Sequence, residues 1–394
     1  MKVYLDNSAT TALDEHALAA MLPYFTEKFG NPSSLHSYGR EASAAVDAAR
    51  DKIASLIGAR ANEIYFTSGG SESDNWALKG AVRAARGARK HIITTAIEHP
   101  AIMETCEYLE KNEGVRVTYL PVDKDGRVNV EDLKNAVTDD TILVSVMFAN
   151  NEMGAIQPIA EIGAFCKEEG ILFHTDAVQA MDSQAIDVNA LNIDMLSMSA
   201  HKFHGPKGIG VLYIRSGVRL ARLIAGGHQE RHMRAGTTDT PLIVGMADAL
   251  ETACRDREKN NARISALRDS FIKRVREGIP YVHLNGGTEH RLPNNVNFSF
   301  EFIEGESILI NLDLAGIAVS SGSACSSGSL EPSHVILALG VPEELAHSSI
   351  RFSLGRDTTE EDMEYTYKVL KETVDKLRAI SPLFNMEKGT GSYV

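Results

Sequence analysis

The sequence predicts an α/β protein with a large, mostly parallel β-sheet and a smaller second domain. Between residues 63 and 214, short apolar segments alternate with helical patterns, which is typical of parallel strands joined by helices. Several of these segments are almost continuously apolar, as expected for strands that are buried on both faces. Near residue 250 the pattern changes to fewer strands and longer helices, which indicates an α+β domain at the C-terminal end.

Each element is placed by the spacing of its apolar residues. Strands of the large sheet are predicted at 63–67, 91–96, 115–120, 142–148, 171–176, 195–199 and 210–214. Helices are predicted at 40–57, 74–86, 130–135, 159–169 and 251–278. The smaller domain is expected to contain strands at 295–300, 315–320 and 350–354 and helices at 306–314, 333–339 and 359–380. The predicted division is an N-terminal arm at 1–15, a large domain at 16–250 and a small domain at 251–394.

Composition excludes several classes of function. The chain has 394 residues and a formal net charge of −13, and a negative surface repels phosphate backbones and anionic lipids. We therefore expect neither a nucleic acid nor a membrane as a partner. The N-terminus has no apolar stretch typical of a signal peptide, which predicts a cytoplasmic protein. Four scattered cysteines without a C-x-x-C pair indicate neither disulfides nor a metal site of the chain's own.

Three strand ends carry residues that are suited to binding a phosphorylated cofactor. Gly70 and Ser71 lie in a small-residue segment before a helix, where backbone N–H groups can bind an anion. Asp176 ends an apolar segment, where a buried carboxylate needs a cationic partner. Lys202 follows another strand and could form a Schiff base with an aldehyde. Ser199 and His201 flank this lysine and could bind a phosphate.

Each of these residues also has a plainer interpretation when it is taken alone. The segment at Gly70 could be an ordinary loop with a helix cap, Asp176 could form a structural ion pair, and Lys202 could be a surface lysine. Together they are more specific, because a phosphate-binding segment, an aspartate and a lysine are the parts that pyridoxal phosphate requires.

A fourth segment indicates the reaction. Residues 320–329 are almost entirely serine, glycine and alanine, with Cys325 in the middle. Such a composition predicts a flexible, exposed loop, whereas unreactive free cysteines are usually buried. Cys325 is therefore a candidate nucleophile, and the alternative is an incidental surface thiol. The other three cysteines, Cys106, Cys166 and Cys254, fall within helical patterns.

Dense motifs along almost the whole chain resemble the NifS/IscS cysteine desulfurases, which are fold-type I pyridoxal-phosphate enzymes. The matching blocks lie at 4–11, 29–34, 66–75, 98–99, 150–152, 174–179, 199–202, 226–230, 234–237, 320–325 and 346–353. Blocks 174–179 and 226–230 are nearer to NifS than to IscS. The resemblance implies a large domain with a mostly parallel sheet and a smaller α+β domain.

The resemblance also implies a role for each site residue. Lys202 would bind the cofactor aldehyde covalently, Asp176 would pair with the ring nitrogen, and His99 would stack on the ring and move protons. Further cofactor contacts are implied for Gly70, Ser71, Asn151, Gln179, Ser199, His201 and, from a partner subunit, Thr237. Arg351 would bind the substrate carboxylate together with Asn151, and Cys325 would be the nucleophile. Serine stands at position 71 where the family usually has threonine, and the hydroxyl is retained.

Plainer structural roles stay open for these added residues when the resemblance is set aside. His99 could bind loop backbone groups, Asn151 could belong to a turn, and Gln179 could be an ordinary polar residue. Arg351 could form a structural ion pair, and Thr237 could be a turn or cap hydroxyl.

The implied activity converts L-cysteine to L-alanine and leaves a persulfide on Cys325, which then passes to an acceptor for iron–sulfur cluster assembly. The implied partners are a second copy of the chain and a scaffold or other acceptor protein, and Cys325 could contact a transferred cluster. Selenocysteine lyase and aminotransferase activities are alternatives on the same fold. A role mainly as a sulfur-donating docking partner is a third alternative and is compatible with the enzymatic one.

Overall fold

A computed structural model describes residues 1–87, 90–321 and 331–384. Its strands are β1 Val3–Tyr4, β2 Ile64–Thr67, β3 His91–Thr95, β4 Arg116–Leu120, β5 Thr141–Ser145, β6 Leu172–Asp176, β7 Met195–Ser199, β8 Gly210–Ile214, β9 Val282–Leu284, β10 Asn295–Phe300, β11 Ile317–Ala318, β12 Ser320–Ser321 and β13 Ser349–Ser353. Its α-helices are α1 Glu15–Met21, α2 Pro23–Thr26, α3 Ser37–Leu56, α4 Gly70–Ala84, α5 Pro100–Glu113, α6 Val130–Ala136, α7 Ile159–Glu169, α8 Thr240–Gly278, α9 Gly305–Leu314, α10 His334–Ala338, α11 Glu343–Ala346 and α12 Glu360–Ile380.

The large sheet has seven strands in the order β2-β8-β7-β6-β5-β3-β4. All neighbours are parallel except those of β8, which runs antiparallel to both β2 and β7. Strands β3, β7 and β8 are buried along their whole length, because helices cover both faces of a parallel sheet. The mostly parallel α/β fold predicted from the sequence is therefore confirmed. The carboxyl ends of β2, β3, β5, β6 and β7 meet at one edge of the sheet.

A second sheet contains the four antiparallel strands β12-β13-β10-β9. Its apolar face packs against α8, α9 and α12 in a second core that includes Phe271, Phe298 and Phe352. The N-terminal arm joins this part of the molecule, because β1 pairs in parallel with β11. The predicted domain boundaries remain a prediction, and helix α8 runs continuously across residue 250.

Three helices begin three or more residues earlier than the sequence pattern indicates. Helix α8 begins at Thr240 instead of residue 251, because Asp239 accepts a hydrogen bond from Leu242 N at 3.1 Å and Pro241 occupies the first turn. Its first turns are buried on several sides, so they lack the amphipathic period that marks an exposed helix. Helix α3 begins at Ser37 instead of residue 40, and helix α4 begins at Gly70 instead of residue 74.

Several elements differ from the expectation based on the sequence. The predicted strand 315–320 is two strands, β11 and β12, which pair with β1 and β13 respectively. Helices α1, α2, α5 and α11 and strands β1 and β9 were not predicted. Among the described residues, no helix combines the length and the apolar character that are needed to cross a bilayer.

Candidate active site

A cavity of about 190 Å³ lies at the carboxyl edge of the large sheet. Parallel α/β sheets bind ligands at this edge. Nine of the predicted site residues line the cavity, namely Gly70, Ser71, His99, Asn151, Asp176, Gln179, Ser199, His201 and Lys202. They come from segments that are far apart in the sequence, so the fold brings together the groups that the sequence motifs identified separately.

One end of the cavity is suited to an anion. Gly70 and Ser71 form the first turn of α4, where the backbone N–H groups have no partner within the helix. A Cβ atom at Gly70 would lie 2.8 Å from Val178 Cγ2, so only glycine fits there without a shift. Ser199 ends β7 beside this turn, and its own Cβ would lie 3.7 Å from a Cβ at Gly70. The Gly70 turn therefore leaves room for a ligand against the backbone.

His201 completes this end of the cavity. Its Nδ1 lies 3.1 Å from the Thr10 hydroxyl oxygen. Burial lowers the pKa of His201 to about 4, and the charge of Lys202 acts in the same direction. The imidazole is therefore neutral near pH 7 and serves as a hydrogen-bonding group rather than a cation.

Lys202 is positioned by the N-terminal arm. It closes a short 3₁₀ turn, Ala200–Lys202, that follows β7 directly. Its Nζ donates hydrogen bonds to Ser8 O at 2.5 Å and Ala9 O at 2.8 Å. These carbonyl groups fix the amine at the cavity wall. Gln179 Nε2 donates to the same Ser8 oxygen at 2.9 Å, so the arm holds two predicted site residues.

Asp176 and His99 both line the cavity and lie close enough for their charges to interact. Burial raises the pKa of Asp176, and the nearby His99 and Lys202 oppose that effect. Its Oδ1 accepts a hydrogen bond from Val178 N at 2.9 Å. His99 caps α5 by accepting from Ala101 N at its Nδ1, at 3.1 Å, and burial lowers its pKa. A neutral His99 therefore carries its proton on Nε2.

Arg351 lies beside the cavity instead of lining it. The residue is 1% exposed. Its Nη1 donates to Asn151 O at 3.1 Å, and its Nη2 donates to Asp6 Oδ1 at 2.9 Å. Its Nε has no hydrogen-bond partner among the described residues. Arg351 thus contacts the wall residue Asn151, and its Nε–H group is available to a ligand.

Two predicted site residues are not placed in this cavity. Thr237 lines a separate groove of about 210 Å³ together with Thr67 and Arg234. Cys325 lies outside the described residues. The chain enters that segment from β12, in which Ser320 pairs with Arg351. It returns at Ser333, whose hydroxyl donates to Glu152 Oε2 at 2.5 Å.

Sequence reasoning assigned no role to several residues of the site. Ser8, Asp74, Met147 and Val178 also line the cavity. The signal for Ser8 was weak, because it acts through its backbone oxygen. Asp74 had a detectable signal, since an acidic residue next to Trp76, Ala77 and Leu78 on a buried helix face is unusual. No cluster of three or more metal-ligating side chains occurs in the ranges that the structure describes.

Comparison with known proteins shows similarity over almost the whole chain. The model for class-V aminotransferases matches residues 3–366. A protein of Clostridium botulinum named cysteine desulfurase IscS is 56% identical over 385 residues, which is 97% of each chain. A solved structure described as a NifS-like protein superposes with a TM-score of 0.90 at 40% identity, covering 95% of this chain and 100% of that one. Another, described as SspA in complex with cysteine, has a TM-score of 0.80 at 38% identity and covers 90% and 99%.

Proposed function

The chain belongs to the class-V aminotransferase family, and we propose that within this family it is a cysteine desulfurase that uses pyridoxal phosphate. It takes sulfur from L-cysteine and releases L-alanine. The observation that carries this proposal is the convergence of Lys202, Asp176 and His99 in one cavity. The described residues on both sides of the Cys325 segment contact Arg351 and Glu152, which neighbour the wall residue Asn151. The relatives named above include a cysteine desulfurase, and none of them is described as a selenocysteine lyase.

The residues present fit pyridoxal phosphate. The N-terminal turn of α4 suits the phosphate, because its backbone N–H groups lie at the cavity and have no partner within the helix. Ser71, Ser199 and His201 add hydrogen-bonding groups beside it. Lys202 supplies the amine for the aldehyde, and the carboxylate of Asp176 would pair with the ring nitrogen. Gln179 and Asn151 would lie around the ring hydroxyl, and His99 would stack on the ring.

When bound, pyridoxal phosphate supplies an electron sink for the substrate α-carbon. Lys202 Nζ accepts the α-proton. The carbonyl groups of Ser8 and Ala9 hold this amine in position at the cavity wall. Neutral His99 can donate its Nε2 proton and take one back without creating a lasting buried charge. Arg351 binds the substrate carboxylate with its guanidinium, for which bidentate geometry is favourable.

Cys325 performs the sulfur transfer. Its thiolate attacks the sulfur of the substrate, so a new S–S bond forms and the substrate C–S bond breaks. The electrons of that bond remain with the substrate carbon, which takes up a proton and leaves as alanine. The segment that carries Cys325 is attached next to Arg351 at one end and to Glu152 at the other, and both attachments lie beside Asn151.

The Cys325→Ser variant tests this assignment. We expect it to bind the cofactor with the normal absorption band but to lose persulfide formation and sulfide release, because a hydroxyl cannot accept the sulfur. Cys254→Ser is the matched control, since Cys254 lies on α8 away from the cavity. Sulfide and alanine are measured together in the presence of an added thiol, which reduces the persulfide and releases its outer sulfur as sulfide. Normal sulfide release by Cys325→Ser would refute the role of Cys325.

We also propose that the active enzyme is a homodimer in which Thr237 of one subunit contacts the cofactor bound in the cavity of the other subunit. Thr237 lines a groove of its own, and large apolar side chains are exposed near the N-terminus, with Phe29 65% and Leu35 92% exposed. Exposed apolar groups of this size favour a protein interface. Sedimentation of the native protein and of a Leu35→Glu variant tests this, and a native monomer with full activity would contradict it.

The sulfur acceptor is proposed to be an iron–sulfur scaffold or a similar protein in the cytoplasm, where Cys325 could also contact the transferred cluster. Support comes from the place of Cys325 in a segment with Ser, Gly and Ala neighbours, which suits a thiol that meets both the substrate and a second protein. Transfer of radiolabelled sulfur from Cys325 to a purified scaffold protein is the test.

A further inference from the structure

Asp6 lies beside Arg351, the residue proposed to bind the substrate carboxylate. Its Oδ1 accepts a hydrogen bond from Arg351 Nη2 at 2.9 Å. Only 2% of the Arg351 side chain is exposed, and 21% of the Asp6 side chain is exposed. The chain therefore places an acidic residue of its own next to the guanidinium that is expected to receive a carboxylate from the substrate.

The backbone of the N-terminal arm fixes the position of Asp6. Asp6 forms a parallel bridge with Ser353, which lies two residues beyond Arg351 on β13. The next two residues of the arm contact the same place, since Asn7 Nδ2 donates to Ser353 O at 2.9 Å and Ser8 N donates to Ser353 Oγ at 2.9 Å. The backbone of Asp6 is thus held next to the strand that carries Arg351.

The ion pair between Asp6 and Arg351 is less complete than another largely buried pair of this protein. Arg50 forms two parallel hydrogen bonds with Glu230, at 2.8 and 2.7 Å, which is the strongest arrangement for a guanidinium and a carboxylate. Asp6 contacts Arg351 through one oxygen, and Arg351 Nε–H has no partner among the described residues. The pair with Asp6 therefore leaves part of the guanidinium for a second carboxylate.

A negative charge at this distance weakens the attraction of Arg351 for any other anion. L-cysteine and L-alanine carry the same α-carboxylate, so the charge of Asp6 weakens the binding of substrate and product to a similar extent. The product has to leave before the next substrate binds. A moderate affinity for the carboxylate therefore favours turnover, because it shortens the time that L-alanine occupies the site.

We propose that Asp6 is a positioning residue that acts through Arg351: it orients the guanidinium and keeps the affinity for amino-acid carboxylates low enough for L-alanine to leave. This inference rests on the proposed function, in which Arg351 binds the α-carboxylate. The same arm holds Lys202 through the carbonyl groups of Ser8 and Ala9. The arm thus contacts both the proposed carboxylate-binding residue and the proposed cofactor-binding lysine.

Binding of L-alanine to the holoenzyme tests the proposal. Asp6→Asn removes the negative charge and retains an oxygen that can accept from Arg351 Nη2. The dissociation constant for L-alanine, measured from the absorption band of the cofactor during titration, should fall by about threefold to tenfold. L-alaninamide, which lacks the carboxylate, is the control ligand, and its dissociation constant should not fall. Unchanged affinity for L-alanine, or an equal gain for both ligands, would overturn the proposal.

Asp194→Asn is the matched control variant. Asp194 pairs with Arg215 at 3.1 Å and its side chain is 22% exposed, but it lies before the start of β7, at the opposite edge of the sheet from the cavity. This variant should bind L-alanine like the native protein. Asp6→Ser is a second variant without the charge, and it should also bind L-alanine more tightly than the native protein does.

The two proposals fail in different ways. The titration with L-alanine requires no sulfur transfer and therefore does not depend on Cys325. A holoenzyme that releases sulfur from L-cysteine but binds L-alanine equally well with and without the charge of Asp6 would refute this inference alone. A native holoenzyme that binds no L-alanine would overturn both this inference and the proposed function.

Discussion

Arg351 has a charge that its protein surroundings neutralise only in part. It pairs with Asp6 through one nitrogen at 2.9 Å. The nearby Glu152 is a weak second partner, because burial raises its pKa to about 7, even though the Ser333 hydrogen bond and the charge of Arg351 oppose this. A carboxyl group that is partly protonated near neutral pH leaves positive potential around the guanidinium. An incoming substrate carboxylate would complete this neutralisation.

At the residue scale, Arg351→Lys should raise KM for L-cysteine by about tenfold to a hundredfold, because lysine cannot reproduce two parallel charge-assisted hydrogen bonds. The turnover number should fall less than the affinity. Steady-state alanine formation measures both quantities.

Arg274→Lys is the control for that experiment, since Arg274 forms an exposed pair with Glu364 on the protein surface. An unchanged KM in Arg351→Lys would show that the substrate carboxylate binds elsewhere.

At the scale of elements, the start of α4 decides how closely a phosphate can approach the backbone. Gly70→Ala should weaken cofactor binding by about tenfold or more, because the new methyl group would meet Val178 at 2.8 Å and displace the turn. Dissociation of the cofactor during dialysis, followed by absorbance, is the measurement. Ser68→Ala, in the exposed residue just before the turn, should retain the cofactor and serves as the control.

The free energy of unfolding should depend on pH, because a histidine of β3 is buried between the two neighbouring strands. His91 is fully buried and contacts Thr141 on β5 and Thr118 on β4, each at 2.8 Å. Burial lowers its pKa to about 4, with Arg116 acting in the same direction. Because the unfolded chain binds a proton more readily, this histidine contributes stability above about pH 6.5 that is lost as the pH falls towards 4.

We therefore expect His91→Gln to reduce the acid dependence of the unfolding free energy by up to about 1.4 kcal/mol per pH unit in this window. Urea unfolding at a series of pH values is the measurement. His290→Gln, which replaces an exposed histidine, should leave the slope unchanged. An equal slope in His91→Gln and in the native protein would mean that the pKa of His91 is the same in the folded and the unfolded chain.

At the scale of the whole molecule, Asp14 connects the N-terminal region to the segment after β13. Its carboxylate caps α1 by accepting from His16 N at 2.8 Å and Ala17 N at 3.1 Å, and Arg356 Nη1 lies 2.7 Å from its other oxygen. Burial acts to raise the pKa of Asp14, but these hydrogen bonds and the charge of Arg356 outweigh it and leave the pKa lowered.

Asp14→Ala should lower the free energy of unfolding by about 3 kcal/mol, since it removes a helix cap and leaves Arg356 without its buried partner. The loss should be full above about pH 4 and shrink as the native carboxyl group becomes protonated in acid. Arg255→Ala, which breaks an exposed ion pair, should leave stability nearly unchanged. Equal stability of the native protein and Asp14→Ala would show that the connection contributes nothing.

The extent to which the site could be predicted depends on how each residue acts. Lys202 and Asp176 were found because a charged group directly after a buried strand is costly unless it has a function or a partner. Ser8 was missed, since its backbone oxygen binds Lys202 and Gln179 and a backbone group leaves no sequence signal. The pairing of Asp6 with Arg351 joins residues that are 345 positions apart, and no local pattern encodes such a contact.

The sequence by itself determined the mostly parallel sheet and the order of the cofactor-binding segments, because alternating apolar periods and strand-end residues are local properties of the chain. Tertiary structure alone decided that the N-terminal arm fixes Lys202, that β12 begins the Cys325 segment beside Arg351, and that Asp74 lies next to Asp176. These are contacts between distant segments, and their energies depend on burial and on the sum of nearby charges, which exist only after the chain has folded.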